Sequence, residues 1–273
     1  MTAAKNTPGQ KQQGKGSIFP YIAVPLCFIV STVVYMFVFG DPSNFVDNDP
    51  TKDPVEGNYM GIVYKGGWVV PILLGMFFIT IVFIIERFIT LNKAAGAGNI
   101  DEFVKSLKVS LDKGDLTSAI SACDKQKGSV ANVVRAGLVK YGEMEKVTGM
   151  ETDAKLLAIQ KEVEEATTLE LPMLEKNLNI LATLASLGTL VGLIGTVLGM
   201  IRAFAALAHA GAPDSTALAT GISEALINTA LGISTSAFAI LFYNFFTARI
   251  DGMTYRIDEA GYSLTQTYAS QHG

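Results

Sequence analysis

Followed for hydrophobicity alone, the chain sets four long apolar runs against two stretches of mixed polarity. The runs cover 18–40, 68–92, 177–208 and 217–248. Each can cross a hydrocarbon core of about 30 Å as a helix, which takes roughly 20 residues. The last two exceed that need and should project beyond the membrane. Pro20 and Pro25 fall in the first turns of the first run, where lost backbone bonds do least harm. Between the second and third runs the pattern becomes that of amphipathic helices. From Asn99, Phe103, Leu107 and Leu111 share one face, and Gly114 is a stop. Asp115 can cap a short helix with Leu116, Ile120 and Cys123 inward, ending near Gly128. Ser129 starts another, with Val130, Val133, Val134 and Leu138 on its apolar side. From Thr152 a longer helix runs through Leu156, Ile159, Val163 and Ala166 towards Leu178. The expected fold is all-α: a polytopic membrane protein with four transmembrane helices, whose long helices extend into a cytoplasmic helical domain.

Charge in the flanks sets the expected orientation, because Lys and Arg favour the cytoplasmic side of short loops. Lys5, Lys11 and Lys15 precede the first run. The segment 41–67 carries Asp41, Asp47, Asp49, Asp53 and Glu56 against Lys52 and Lys65. Arg87 and Lys93 end the second run, and Arg249 and Arg256 follow the fourth. The pattern predicts a cytoplasmic tail over 1–17, a periplasmic loop over 41–67 and a cytoplasmic helical domain over 93–176. A short periplasmic turn follows over 209–216, then a cytoplasmic tail over 249–273. Lys11 and Lys15 also suit a secretory signal, whose apolar core is typically 7–15 residues with a small-x-small cleavage site. Here the run is longer and ends Phe37-Val-Phe-Gly-Asp-Pro, so it reads as a retained anchor. The acidic loop, rich in Pro, Gly, Asp and Asn, should be mostly irregular.

Composition narrows the chemistry. The chain is 49% hydrophobic and 17% charged, against roughly 25% charged in soluble domains. A net charge of −4 gives no reason to expect nucleic acid. Cys27 and Cys123 lie about a bilayer apart in this topology, so no disulfide is expected. His209 and His272 are too sparse for a metal site. There is no Gly-rich phosphate loop, no Ser/His/Asp set and no Cys/His cluster, so neither an enzyme nor a cofactor is expected.

What remains unusual is polarity inside the last two runs. A charge-capable group in hydrocarbon costs roughly 2.5–3.5 kcal/mol, and such groups usually face a bundle interior or a wet path. Glu224 is one. At 100° per residue it lies within about 80° of Thr220, Asn228 and Thr235. Thr229 stands about 140° away, so one wall cannot hold Glu224 and Thr229 centrally. Either can face a lumen while the other points sideways. In the third run Thr189, Gly192, Thr196, Gly199 and Ala203 form one small, hydroxylated stripe. Such a stripe suits close helix packing, and hydroxyls beside a carboxyl suit holding water. Arg202 sits nearer the outer end, so no basic partner for Glu224 is expected within either run. Glu86-Arg87 reads as an interface anchor that snorkels to water.

The segments Gly192-Leu-Ile-Gly-Thr-Val-Leu-Gly-Met-Ile-Arg-Ala-Phe204 and Gly221-Ile-Ser-Glu-Ala-Leu-Ile-Asn-Thr-Ala-Leu-Gly232 closely resemble the signatures of the MotA/TolQ/ExbB proton channel family. Glu86-Arg87 with Leu91 resembles the end of that family's first core span. Within the family the chain looks most like ExbB. The resemblance implies a bacterial inner-membrane ring oligomer, pentameric in ExbB, with the third and fourth runs lining a pore. It implies an ExbD-like single-span partner in that pore, carrying a proton-bearing aspartate, and a TonB-like energy transducer driven by the proton motive force. It marks Thr196, Glu224 and Thr229 as the family's polar positions, with Thr189 and Asn228 extending the stripe. A TolQ-like or flagellar-type stator, or a scaffold without conduction, is the competing reading. Two departures stand out. Gly188-Thr189 replaces an Ala-Pro often found in the family, and 18–40 is an extra helix before a three-helix core.

Overall fold

The computed structural model describes residues 18–208 and 215–272. The expected tail 1–17 and most of the expected turn 209–216, with His209, lie outside the described residues. Within them the chain is helical nearly throughout. The helices are α1 (Phe19–Val34), α2 (Tyr59–Tyr64), α3 (Val70–Ala95), α4 (Ile100–Asp112), α5 (Leu116–Gln126), α6 (Gly128–Lys146), α7 (Thr152–Glu175), α8 (Leu178–Leu207) and α9 (Ser215–His272). A π-helical turn, Tyr35–Phe39, continues α1. With that turn, α1 is long and apolar enough to cross a membrane, as are α3, α8 and α9.

The chain divides into two units. One comprises the residues up to Val82 together with Leu184–Phe238; the other comprises Phe83–Thr183 and the chain from Ala239. In the first unit α1 turns Ala23, Cys27 and Ser31 inward, one turn apart, and leaves Tyr21, Ile22 and Ile29 exposed, as Phe37 is in the π-helical turn. Ser31 Oγ lies 2.9 Å from the carbonyl of Pro71, in the first turn of α3. Phe28 lies over Gly75, where an added Cβ would collide with its ring.

The acidic segment 41–67 is mostly irregular, as expected, apart from two three-residue 3-10 turns and the short α2. It is nevertheless pinned by specific contacts. Asn44 is buried and donates from Nδ2 to the carbonyls of Val38 (2.8 Å) and Phe39 (3.1 Å), which the end of a helix leaves unpaired. Phe45 is buried, and Tyr64 of α2 stacks on Tyr35 with ring centroids 4.8 Å apart. The periodicity of so short a segment hides this, because its order comes from capping and from aromatic contacts distant in sequence.

In the second unit the amphipathic helices form close to where the sequence predicts them. Asn99 caps α4 by accepting from the Asp101 amide, and Asp115 caps α5 by accepting from the Ser118 amide. Phe103, Leu107, Leu111, Cys123, Val130, Val133, Val134, Leu138, Ile159 and Val163 are buried. Leu116, Ile120, Leu156 and Ala166 are only half-buried, and Ala119 takes the central place on α5. α7 stops at Glu175, and Asn177 takes a left-handed φ of 62° before α8 begins. The chain from Arg249 continues α9 as helix to His272. Phe246, Ile250, Met253, Ile257, Ala260 and Leu264 are all buried along it, at alternating spacings of four and three. Tyr141 Oη donates to Gln271 Oε1 at 2.7 Å, and Gln271 Nε2 donates to the Leu111 carbonyl at 3.2 Å.

Glu86-Arg87 is not a snorkelling anchor. Arg87 is fully buried. Its Nε and Nη2 donate to the two Glu86 carboxylate oxygens at 2.7 and 2.6 Å, and its Nη1 donates to the Leu174 carbonyl at 3.1 Å. That carbonyl lies in the last turn of α7, where helical partners run out. The pair therefore ties α3 to the end of α7. Spacing alone cannot distinguish a charge reaching for water from one reaching for a helix terminus.

Candidate functional site

The polar positions of the last two apolar runs meet along an α8–α9 seam inside the first unit. The seam is antiparallel, so partner numbers rise on one helix as they fall on the other. Ser236 faces Gly188 and Thr189, Gly232 faces Gly192, Thr229 faces Thr196, and Gly221 faces Ala203. Small residues set the spacing. An added Cβ on Gly192 would stand 3.0 Å from the Gly232 Cα, and one on Gly199 would stand 2.8 Å from the Ala225 amide nitrogen. The backbones approach as closely as glycine permits, which is how helices associate where lipid supplies no hydrophobic drive.

The predicted residues separate into three groups along this seam. Thr196 and Thr229 come together, their hydroxyls in direct hydrogen-bond contact, and both are half-buried. Thr196 Oγ1 also reaches the carbonyls of Gly192 (3.1 Å) and Ala225 (3.3 Å), and Thr229 Oγ1 donates to that same Ala225 carbonyl at 3.1 Å. Two turns before Thr196 on α8, Thr189 is exposed, with its Oγ1 2.8 Å from Ser236 Oγ. Glu224 and Asn228 point elsewhere. Both are buried, at 4% and 0% exposure, against the Gly66–Gly67 turn that precedes α3. Asn228 Nδ2 donates to the Gly66 carbonyl at 3.0 Å. Gly67 has a φ of 81°, and a side chain there would overlap a Glu224 carboxylate oxygen. Glycine is needed at this position twice, for its backbone angle and for the space.

Glu224 also has a basic partner, which corrects the expectation that neither run supplies one. Arg202 Nη1 donates to Glu224 Oε1 at 2.6 Å and Oε2 at 2.8 Å. The carboxylate end is buried, whereas half of the Arg202 side chain is exposed. Depth along a single helix is what misled the sequence reading. The antiparallel register sets the end of α8 beside the start of α9, and the long guanidinium stem covers what distance remains. Sequence reasoning also passed over Ser236 and the Gly66–Gly67 turn. Arg202 was detectable, since an arginine inside an apolar run calls for an acidic partner.

Thr220 donates to the Thr216 carbonyl at 2.9 Å, and Thr235 Oγ1 donates to the Leu231 carbonyl at 2.9 Å, so both satisfy themselves on their own helix. Among the described residues no group of three or more His, Cys, Asp or Glu side chains could hold a metal ion. The arrangement can do two things chemically. The threonine pair offers hydroxyls on a half-exposed face, and the Glu224 group offers a buried carboxylate with one strong donor.

Comparison with known proteins adds to this geometry. The sequence pattern of the MotA/TolQ/ExbB proton channel family matches residues 125–259. The Tol-Pal system protein TolQ of Pseudomonas aeruginosa is 31% identical over 150 residues, covering 55% of this chain and 65% of that protein. The biopolymer transport protein ExbB of Pseudomonas putida is 37% identical over 81 residues, 30% of this chain and 25% of that protein. A putative ExbB homologue of Methanothermobacter thermautotrophicus is 27% identical over 206 residues, 73% of this chain and 67% of that protein. The chain thus spans between a quarter and two thirds of the length of these relatives.

Proposed function

Since the chain belongs to the MotA/TolQ/ExbB proton channel family, we propose that it is an ExbB-like ring subunit of a motor driven by the proton motive force in the bacterial inner membrane. In this reading the chain crosses the membrane four times with both termini cytoplasmic, and α8 and α9 line a central path. Copies of the chain form a ring, a pentamer by family likeness. An ExbD-like single-span partner occupies the path, and a TonB-like protein carries the motion to outer-membrane transport. The observation that carries the reading is the Thr196–Thr229 hydroxyl pair. It joins the two family motifs on a face the subunit leaves half-exposed, where a partner's carboxylate can approach. Thr189 and Ser236 continue that hydroxyl face along the same seam. One charge crossing 100 mV releases about 2.3 kcal/mol, enough for a few such steps to reset a packed helix contact.

The test is proton flux in vesicles holding the subunit with its single-span partner. Thr196→Val keeps the shape and removes the hydroxyl, and should lower flux tenfold or more with the ring intact. Unchanged flux would remove the threonine pair from the path, and no flux in the unaltered complex at any voltage would favour a scaffold. A TolQ-like role is the second reading, favoured by a longer match to a TolQ than to the ExbB of Pseudomonas putida. Expression in strains lacking either TolQ or ExbB separates the two: rescue of siderophore-dependent growth supports the ExbB-like role, and rescue of detergent resistance the TolQ-like one.

A further inference from the structure

The first unit also holds a cavity of about 210 Å³ between segment 41–67 and the first turns of α9. Asp53, Pro54, Ile62 and Lys65 line one side of it, and Thr220 and Ser223 the other. Its volume is that of about seven waters at ~30 Å³ each. The charged groups in its lining are of both signs, and no ion pair joins Asp53 to Lys65. Lys65 donates to the carbonyls of Pro50 (3.2 Å) and Thr51 (3.0 Å), which leaves one of its three N–H donors. The Asp53 carboxylate and the Ser223 hydroxyl have no hydrogen-bond partner among the described residues. Thr220 donates to the Thr216 carbonyl and keeps its acceptor lone pairs. Lys65 disfavours a simple cation here, and Asp53 a simple anion. A spare ammonium donor, a spare carboxylate and two hydroxyls around one cavity suit a ligand that bears both charges.

The place of the cavity in the fold narrows that ligand. Thr220 and Ser223 stand in the opening turns of a helix long and apolar enough to cross a membrane. Leu226 and Ala230 follow on the same side of α9, three and seven residues beyond Ser223, and both are exposed. On the other wall's side of the chain, Tyr59 and Trp68 are 81% and 57% exposed, and such residues gather where hydrocarbon meets water. A polar cavity thus caps an exposed apolar helix face. We propose that this cavity binds the headgroup of a zwitterionic phospholipid of the phosphoethanolamine type. The phosphate accepts from Lys65 Nζ and Ser223 Oγ, and the ammonium donates to the Asp53 carboxylate and Thr220 Oγ1. An acyl chain lies along Leu226 and Ala230. A phosphoglycerol headgroup lacks the ammonium and a phosphocholine has no N–H to donate, so Asp53 sets the selectivity. Asp53 and Lys65 both lie outside the matched residues 125–259, so the site depends on a segment that the family pattern does not cover. The inference goes beyond the motor reading and shares with it only the membrane-spanning helices.

Native mass spectrometry of the full-length protein, released from detergent with phospholipid added, counts bound lipid directly. At equal concentrations the protein should retain phosphatidylethanolamine at least tenfold more than phosphatidylglycerol or phosphatidylcholine with the same chains. Asp53→Asn should erase that preference. Ser223→Leu fills the cavity and should lower retention of phosphatidylethanolamine at least tenfold. Lys65→Gln should lower retention of phosphatidylethanolamine and phosphatidylglycerol alike. Glycerophosphoethanolamine, the headgroup without its chains, identifies the source. Displacement at a concentration comparable to the lipid's supports a soluble headgroup as occupant of the same cavity, and no displacement supports the lipid. The proposal is overturned if the unaltered protein shows no preference among the three lipids, if Asp53→Asn keeps the preference, or if Ser223→Leu leaves retention unchanged. Should Lys65→Gln fail to fold, having lost its two loop carbonyls, the Asp53 and Ser223 comparisons still decide. Retention is read without voltage or partner, so its failure leaves the tests of proton flux untouched.

Discussion

The long helix α9 packs in two ways, and its two halves show how side-chain size sets the contact between helices. Over Gly221, Ala225 and Gly232 it meets α8 through small residues, backbone nearly on backbone. Over Phe246, Ile250, Met253, Ile257 and Leu264 it buries large side chains at alternating four- and three-residue steps. Large apolar groups gain by leaving water, so the second half can hold through area. In an apolar medium that gain vanishes, and contact has to come from closeness and hydrogen bonds. The same contrast locates the chemistry. Close approach brings Thr196 onto Thr229 and Arg202 onto Glu224, whereas along the large-residue half long side chains reach the polar partners, as Arg256 does Asp101 and Gln271 does Tyr141.

If the contrast is right, the two halves fail in opposite ways. The largest effect should come from Gly232→Leu, which drives a side chain into the Gly192 backbone. We expect loss of the folded protein, read as disappearance of its single peak on gel filtration in detergent. A full yield would mean the seam is looser than its geometry. Leu264→Ala in the other half should leave the fold in place and cost about 2–5 kcal/mol, the range for a buried leucine. Thermal unfolding measures it, and an unchanged midpoint would mean this stretch of α9 is not packed as described. Asp115→Ala removes only a cap from α5 and should cost about 1 kcal/mol in the same assay.

The smallest effect concerns reactivity rather than stability. Burial pushes the Cys123 thiol up to about 12, with the nearby Asp124 charge adding to the rise. A thiol normally titrates near 8.5, so the thiolate fraction at pH 8 falls by roughly a thousandfold. Maleimide at that pH should leave the Cys123 peptide unmodified until denaturant is added, as read by mass spectrometry. Rapid labelling of the folded protein would show that α5 opens. Because the thiol is raised in the folded state, labelling should increase with pH and never plateau below pH 9.

Much of this molecule could be read in one dimension. The caps at Asn99 and Asp115, the buried faces of α4 to α6 and the four apolar helices follow from local rules of periodicity and capping. So does the stripe from Thr189 to Ala203, because the angle around one helix is fixed by spacing. The sequence also showed that Glu224 and Thr229 could not share a wall. It could not say which faced where, nor that Arg202 would reach Glu224, that Arg87 would close the end of α7, or that the acidic loop would be pinned by Asn44 and Tyr64. Those depend on register between elements far apart in the chain. Register is set by how closely glycine lets two backbones approach and by which orphaned carbonyl lies within reach of a donor, and both are properties of the assembled helices.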